Sequence, residues 1–406
     1  MVSIDSPLEG KCVGVIGFNA RPIACSAMRA GAKVFVSDYW GDDDLSTCCE
    51  DWIAILTPTP GLRQREPLDV PLYEGLVDNL RYLTEQHELD FVLVGSGFDD
   101  HVDALKPLHE KGLLIGCSLN QMRRARDYTN LKRIGKSLGI NVPQRFVAET
   151  PDNVIENSLG MRFPYLVRPT YSGGGSGIRL VRNVQDIIKA FGEPEGGEYQ
   201  PRVVQEYIRG VDVSSSVLGA TNRALTLSVQ GQLIGIPTAG RNCDFAYCGN
   251  YYPTSLPEET VSRINEVSET ISRQLKLHGS VGIDFVVDES KQIWLMEVNP
   301  RFQGTLELIE ASANLSVTSL HVLASQGVLP EKVPEIRPGV KMIVYSRRDG
   351  VVPDLTQYSN TVDRTPQGVL VNLRDPICTV IEVGASMKEC YRRASEITQA
   401  IQRSVS

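Results

Sequence analysis

Several classes of protein are excluded by what this chain of 406 residues does not contain. No segment is long and apolar enough to span a bilayer. The longest uncharged run, Ala224 to Gly240, has 17 residues but includes Gln230, Gln232, Pro237 and three glycines, so it predicts a pair of strands. The amino terminus lacks a basic region followed by an apolar stretch, so no secretory leader is expected and a cytoplasmic location is. Basic residues are in deficit: 41 Lys and Arg against 49 Asp and Glu leave a net charge of -8. A nucleic-acid binder needs a basic face, and the densest basic stretch (Arg123, Arg124, Arg126, Lys132, Arg133, Lys136) lies along one predicted helix. The nine cysteines are odd in number and include no C-x-x-C pair, which argues against a disulfide scaffold or structural zinc and for reduced thiols. Cys243 and Cys248 read as packing or loop residues. No G-x-x-x-x-G-K-[ST] occurs, which argues against a Walker-type nucleotide site.

What is present describes a globular protein. Hydrophobic residues make up 42% and charged residues 22%, and the length predicts two to four domains at roughly 100–200 residues each. The opening reads as a Rossmann-like unit. A strand at Val13–Ile16, a turn at Gly17–Pro22 and a helix at Ile23–Ala30 lead to a second strand, Lys33–Ser37, which delivers Asp38 at its carboxyl end. Further strands are predicted at Phe91–Val94, before Gly95-Ser96-Gly97, and at Leu113–Ile115. A helix is predicted over Gln121–Leu138, stopped by Gly139, and another over Glu258–Leu277. From about Pro330 a smaller, proline-punctuated β unit closes the chain, ending in an amphipathic helix over Met387–Arg403.

Three constellations carry chemistry. In the first, the strand Val281–Val287 and the turn Asp288–Lys291 precede Gln292–Arg301, which contains Glu297-Val298-Asn299-Pro300-Arg301. Alternation puts Glu297 and Asn299 on one face, about 6.5–7 Å apart. A hairpin can bring Asp284 onto that face. Two carboxylates and an amide oxygen suit Mg²⁺, a hard cation that leaves coordination places for phosphate. Arg301, one step on, can hold phosphate or carboxylate bidentately. The alternative is an edge hairpin with solvated acids.

The second is Thr170-Tyr171-Ser172-Gly173-Gly174-Gly175-Ser176-Gly177, between the strands Tyr165–Arg168 and Ile178–Val181. Glycines permit positive φ and let amides approach phosphate, and flanking strands make this a hairpin-like flap. The third, Val203 to Asp212, is a strand running into polar residues and Gly210. Alone it is equally a solvated loop.

In this order the three resemble the ATP-grasp superfamily over residues 121–330. The opening Gly17-Phe18-Asn19-Ala20-Arg21-Pro22 with Ser37-Asp38-Tyr39 is similar to the predicted carboligases of archaea and methylotrophs related to biotin carboxylase. The resemblance implies a fold of α/β and α+β character in three parts. These are a Rossmann-like preATP-grasp domain (1–120), a two-lobed ATP-grasp domain (121–330, with a mobile lid at about 145–205), and a biotin carboxylase-like β-rich domain (331–406). It implies ATP and Mg²⁺ (or Mn²⁺) as cofactors, with Asp284, Glu297 and Asn299 holding the metal and Arg301 and Arg168 catalytic. Arg168 stands where most members place a phosphate-binding lysine. The glycine loop (Ser172, Gly173, Gly174, Gly175, Ser176, Gly177) would cover the phosphates. Gln205, Glu206, Tyr207 and Ile208 would line the adenine pocket, and Asp212 the ribose. Tyr128 occupies the position of the second ATP-binding lysine, for which Lys132, one helical turn on, is the candidate replacement. Arg241, Arg301 and Gln303 would meet substrate.

The implied activity is ATP-dependent carboxylate–amine ligation through an acylphosphate. The partners would be a small carboxylate and an amine, with no nucleic acid or membrane, and a homodimer is allowed. Two alternatives are carried forward. One is a bicarbonate-dependent carboxylase, against which stands the lack of a biotinyl domain in the sequence. The other is a Rossmann-type dinucleotide-binding oxidoreductase, suggested by Gly14-x-x-Gly17 and Asp38, although the later glycines of that fingerprint are missing.

Overall fold

The computed structural model describes residues 6–63, 72–157, 161–171, 173–194, 198–241 and 245–406. The opening apolar runs form a parallel sheet. Its strand order is Asp51–Ala54, Lys33–Asp38, Cys12–Gly17, Phe91–Val94. Helix Arg21–Arg29 starts with proline in its first turn, where the missing N–H costs nothing. The predicted strand at Leu113–Ile115 reduces to one bridge between Val92 and Leu114. The predicted single helix over Gln121–Leu138 is two, Leu119–Arg126 and Tyr128–Leu138. Asp127 divides them because its carboxylate accepts the Asn130 N–H at 2.7 Å and caps the second helix.

A small four-stranded antiparallel sheet follows, in the order Arg145–Ala148, Arg202–Glu206, Tyr165–Pro169, Arg179–Val181. It has a core of its own, in which Val154 and Ile187 of two short helices pack on Tyr165, Val167 and Val204.

The largest sheet has eight strands, beginning Ile293–Asn299, His278–Asp288, Gly210–Ala220, Arg223–Ile234, Tyr247–Tyr252. It continues through Gly339–Tyr345, Pro376–Val383 and Thr361–Val362, so the last segment of the chain extends the central sheet. The run Ala224–Gly240 supplies a single strand and a short 3-10 turn at Pro237–Ala239, where two strands were predicted. A buried ion network joins segments distant in the sequence. Arg21 donates to Asp363 at 2.7 Å and Glu307 at 2.6 Å and lies 3.4 Å from Asp44, and Lys341 donates to Glu307 at 3.0 Å. The cysteines depart from the reduced set expected, because Cys25 and Cys48 form a disulfide. Helix Arg21–Arg29 lies against the turn Leu45–Cys48, a neighbourhood that the 23-residue separation does not show. No described helix is long and apolar enough to cross a membrane.

Candidate active site

The predicted hairpin forms, and its register puts Asp284 opposite Glu297 and Gly282 opposite Asn299. A bulge at Met296 interrupts the ladder immediately afterwards. The three side chains meet. Asn299 Nδ2 donates to Asp284 Oδ2 at 2.9 Å and to Glu297 Oε1 at 3.1 Å, and Gln232 Nε2 donates to Asp284 Oδ1 at 3.0 Å. Burial, reinforced by the charge of Glu297, pushes the Asp284 carboxyl up. Burial acts the same way on Glu297, but Arg126, the Asn299 hydrogen bond and Arg301 together outweigh it and hold that carboxyl down. Glu297 nevertheless keeps 43% of its side chain open to solvent.

Of the four cations around this face, Arg168 and Arg301 belong to the predicted set and Arg126 and Arg145 do not. Arg126 Nη1 donates to Glu297 Oε2 at 2.9 Å and Asn299 Oδ1 at 3.3 Å, while its Nη2 donates to Asp100 at 3.0 Å. Arg301 Nε donates to Asp99 Oδ2 at 2.9 Å, and its Nη2 to Asn299 Oδ1 at 3.5 Å. Asp99 and Asp100 stand on the loop after the strand Phe91–Val94, so the first unit aims two of the arginines. Arg126, Arg145 and Arg168 line one cavity of about 260 Å³, with Glu297 on its wall and Val147, Thr170 and Val203 from the small sheet opposite. Burial and mutual repulsion lower the proton affinity of Arg145, where Arg168 and Arg126 are both felt, and burial does the same for Arg168. Three guanidiniums converge on one partly buried space, with the carboxylates of Asp100 and Glu297 on the same wall.

The glycine loop reaches the central sheet. Gly174 O accepts the Tyr247 N–H at 2.9 Å, and Gly174, Gly175 and Gly177 all have positive φ. A Cβ on Gly175 would lie 1.8 Å from Phe245 O, so no other residue fits that approach. Gly173 accepts the Ser176 N–H at 3.1 Å within the loop, and Ser172 lies outside the described residues. In the predicted hinge, Gln205 is buried in the small sheet and Glu206 accepts the Gln144 N–H at 3.1 Å. Tyr207 packs edge-on near Phe245, and Ile208 is half-buried beside it in sequence. These four lie in or just beyond the strand that supplies Val203 to the cavity, not on the cavity wall itself. Gly210 is required because a Cβ there would be 2.2 Å from Val287 O, and burial raises the Asp212 carboxyl to about 6.

Other predicted residues point elsewhere. Lys132 is exposed, over the Tyr128 ring at 5.5 Å, while Arg145 covers the same ring at 4.5 Å and lines the cavity. Gln303 faces the sheet interior: it donates to Ser215 O at 3.1 Å and accepts from Ser216 Oγ at 2.7 Å, over a glycine (Gly282) that leaves room for it. Arg241 stacks over Tyr345 at 5.2 Å and reaches the Arg374 carbonyl, away from the cavity. Asp38 is fully engaged by backbone, accepting from Ala20 at 2.7 Å, Trp40 at 2.7 Å and Gly41 at 2.9 Å. A dinucleotide ribose would find no free acid there, which removes the main support for an oxidoreductase. Sequence reasoning missed Asp99, Asp100, Arg126 and Arg145. The available signal was an acid pair just past the carboxyl end of a predicted parallel strand.

Residues 127–305 match the family described as an ATP-grasp domain. The chain is 25% identical over 373 residues to an uncharacterised protein of Methanocaldococcus jannaschii, covering 90% of this chain and 87% of that one. It is also 25% identical over 248 residues to the carbamoyl phosphate synthase large chain, C-terminal section, of Methanopyrus kandleri, covering 60% of this chain. It spans about half (45%) of that Methanopyrus protein's length. Among solved structures, an ADP complex of N5-carboxyaminoimidazole ribonucleotide synthetase superposes with TM-score 0.72 at 15% identity, over 98% of this chain and 100% of that one. Biotin carboxylase of Campylobacter jejuni superposes with TM-score 0.71 at 15% identity, over 95% and 90%. These two share the fold.

Proposed function

We propose that this chain, whose residues 127–305 match the ATP-grasp domain family, is an ATP- and Mg²⁺-dependent carboxylate–amine ligase. Its γ-phosphoryl acceptor is a small carboxylate, and an amine then displaces phosphate from the acylphosphate. The observation that carries the reading is the single face holding Asp284, Glu297 and Asn299 against a cavity walled by Arg126, Arg145 and Arg168. The donor set fits Mg²⁺: two carboxylates and, after a half-turn of its amide, Asn299 Oδ1 provide hard oxygens and leave room for phosphate. When bound, the ion would neutralise phosphate charge. Phosphoryl transfer asks chiefly for positioning and charge neutralisation, and the protein's own groups suit that. Arg168 and Arg145 reach the anion cavity from the small sheet, and Arg126 and Arg301 are aimed by Asp100 and Asp99. The glycine loop would cover the phosphates, Gln205 to Ile208 the adenine and Asp212 the ribose. The small sheet, with its separate core, would serve as the lid of a three-part chain divided near residues 120 and 330.

A second reading has specific support. The structural relatives include enzymes named as carboxylases, and one is described with MgADP and bicarbonate. Bicarbonate is itself a carboxylate that this site could phosphorylate. The test is ADP release from the intact protein over a panel of acids and amines in CO₂-depleted buffer, with hydroxylamine as trap. Ligation of an organic acid predicts a hydroxamate and no need for bicarbonate. Strict dependence on bicarbonate, with labelled carbon in the product, refutes the first reading in favour of the second.

A further inference from the structure

Every oxygen on the face of Asp284, Glu297 and Asn299 is already engaged within the chain. Asp284 Oδ1 accepts from Gln232, and Asp284 Oδ2 and Glu297 Oε1 both accept from Asn299 Nδ2. One guanidinium bridges the other two oxygens: Arg126 Nη1 lies 2.9 Å from Glu297 Oε2 and 3.3 Å from Asn299 Oδ1. Arg301 adds only a longer contact to Asn299 Oδ1, at 3.5 Å. Arg126 therefore holds the place of a bound cation. It also sets the Asn299 amide: with Oδ1 turned to the guanidinium, the carboxylates are offered N–H groups, which cannot ligate a metal.

The surroundings of Arg126 allow this bridge to open by a short movement. The backbone is fixed, because the residue ends the helix Leu119–Arg126 and Asp127 caps the next one. Nε and Nη2 rest on Asp100 Oδ1 at 3.2 Å and 3.0 Å, so a rotation about that edge carries Nη1 off Glu297 while Asp100 keeps its hold. The guanidinium already lines the cavity of about 260 Å³ beside Arg145 and Arg168. A phosphate there would offer Nη1 a charged acceptor in place of Glu297.

We infer that Arg126 is a displaceable internal counter-ion, which closes this face to metal in the empty site and yields it when a nucleotide's phosphates fill the cavity. Its departure frees Glu297 Oε2 and lets Asn299 turn Oδ1 inward, and the same guanidinium then neutralises phosphate. Metal without nucleotide is thereby disfavoured, and each favours the binding of the other. The inference rests on the metal and nucleotide assignments proposed above, but not on the ligation step or the identity of the acid.

The test is binding to the intact protein without turnover. Mn²⁺ alone is titrated by electron paramagnetic resonance of the free ion, and ATP alone by calorimetry in EDTA. Arg126→Gln should bind Mn²⁺ about 5- to 150-fold more tightly than wild type, the usual span of coupling between two occupants, and metal-free ATP more weakly. Arg145→Gln removes the same charge from the same cavity but leaves the bridge intact. It should weaken ATP and change Mn²⁺ affinity less than about threefold. Adding Glu297→Gln to Arg126→Gln should cancel the gain for Mn²⁺. If melting curves show Arg126→Gln to be misfolded, Arg126→Lys replaces it: lysine keeps the charge but cannot bridge two oxygens while held by Asp100, so a gain is still expected. Unchanged Mn²⁺ affinity in the folded Arg126 variant, an equal gain in Arg145→Gln, or a gain that survives Glu297→Gln overturns the inference. The expected shifts in a protein that releases no ADP with any acid and amine would leave it standing while refuting the ligase reading.

Discussion

Replacing Arg21 by methionine should expose how much the buried ion network contributes to holding distant segments together. The guanidinium is 2% exposed and donates to Asp363 at 2.7 Å and Glu307 at 2.6 Å, with Asp44 at 3.4 Å. Methionine fills similar volume, so no large cavity opens, but three buried acids are left with Lys341 as the nearest cation. Removing one partner of a buried, hydrogen-bonded ion pair costs about 3–5 kcal/mol, because the remaining charges are uncompensated. The loss should depend on pH in a defined direction. In the wild type, burial alone would raise the Asp363 carboxyl, but Arg21, the foremost of its lowering partners, together with Lys341 and the Thr379 hydrogen bond holds it down at about 2. Its contribution is therefore complete above the ordinary carboxylate range and lost only as pH falls toward 2. Without Arg21, burial and the neighbouring acids raise that carboxyl, so the variant regains stability as pH drops from 8 to 5 by taking up a proton. Urea unfolding followed by circular dichroism at pH 8 and pH 5 measures both effects. A loss under about 1 kcal/mol at pH 8 would refute the reasoning, as would an equal loss at both values.

Three further outcomes are expected. Glu297→Gln should reduce Mg²⁺-dependent ADP release at least about a hundredfold, equivalent to ~2.7 kcal/mol, with an unchanged circular dichroism spectrum; wild-type turnover would sink the metal assignment. Gly175→Ala, forced into a positive φ and against the Phe245 carbonyl, should detach the glycine loop from Tyr247, read as faster hydrogen exchange over 173–177 and a raised KM for ATP. Unchanged exchange there would show that the loop does not depend on this contact. His321 is buried, accepts the Ser280 N–H at Nδ1, and has its pKa lowered to about 4 by burial. Its folded value lies below the unfolded one, so stability is full above about 6.5 and falls as pH drops toward 4. Between pH 7 and 4.5 the wild type should lose roughly 2–3 kcal/mol more than His321→Gln by urea titration, and parallel losses would contradict this.

The local elements and the strand that carries Glu297 and Asn299 were legible in the sequence because they depend on short-range rules. Alternation along Ile293–Asn299 puts Glu297 and Asn299 on one face whatever surrounds them, and the turn at Asp288–Lys291 returns Asp284 beside them. Gly174, Gly175 and Gly177 announce a backbone that needs positive φ. The divided helix at Asp127 was misread because a competing cap is a one-residue effect within a periodic pattern. Only the tertiary structure could decide which cations face the carboxylates. Arg126 and Arg145 belong to a basic helix and a short strand with no motif around them. They become site residues because Asp100, 26 residues before Arg126, aims one, and the small sheet folds the other over the cavity. The same holds for the disappointments. Gln303 and Arg241 have the chemistry to meet a substrate, but long-range contacts to Ser215, Ser216 and Tyr345 hold them elsewhere. A side chain's type is written in the sequence, whereas the groups it meets are set by which distant segments the core packs together, and that is decided by the whole chain at once.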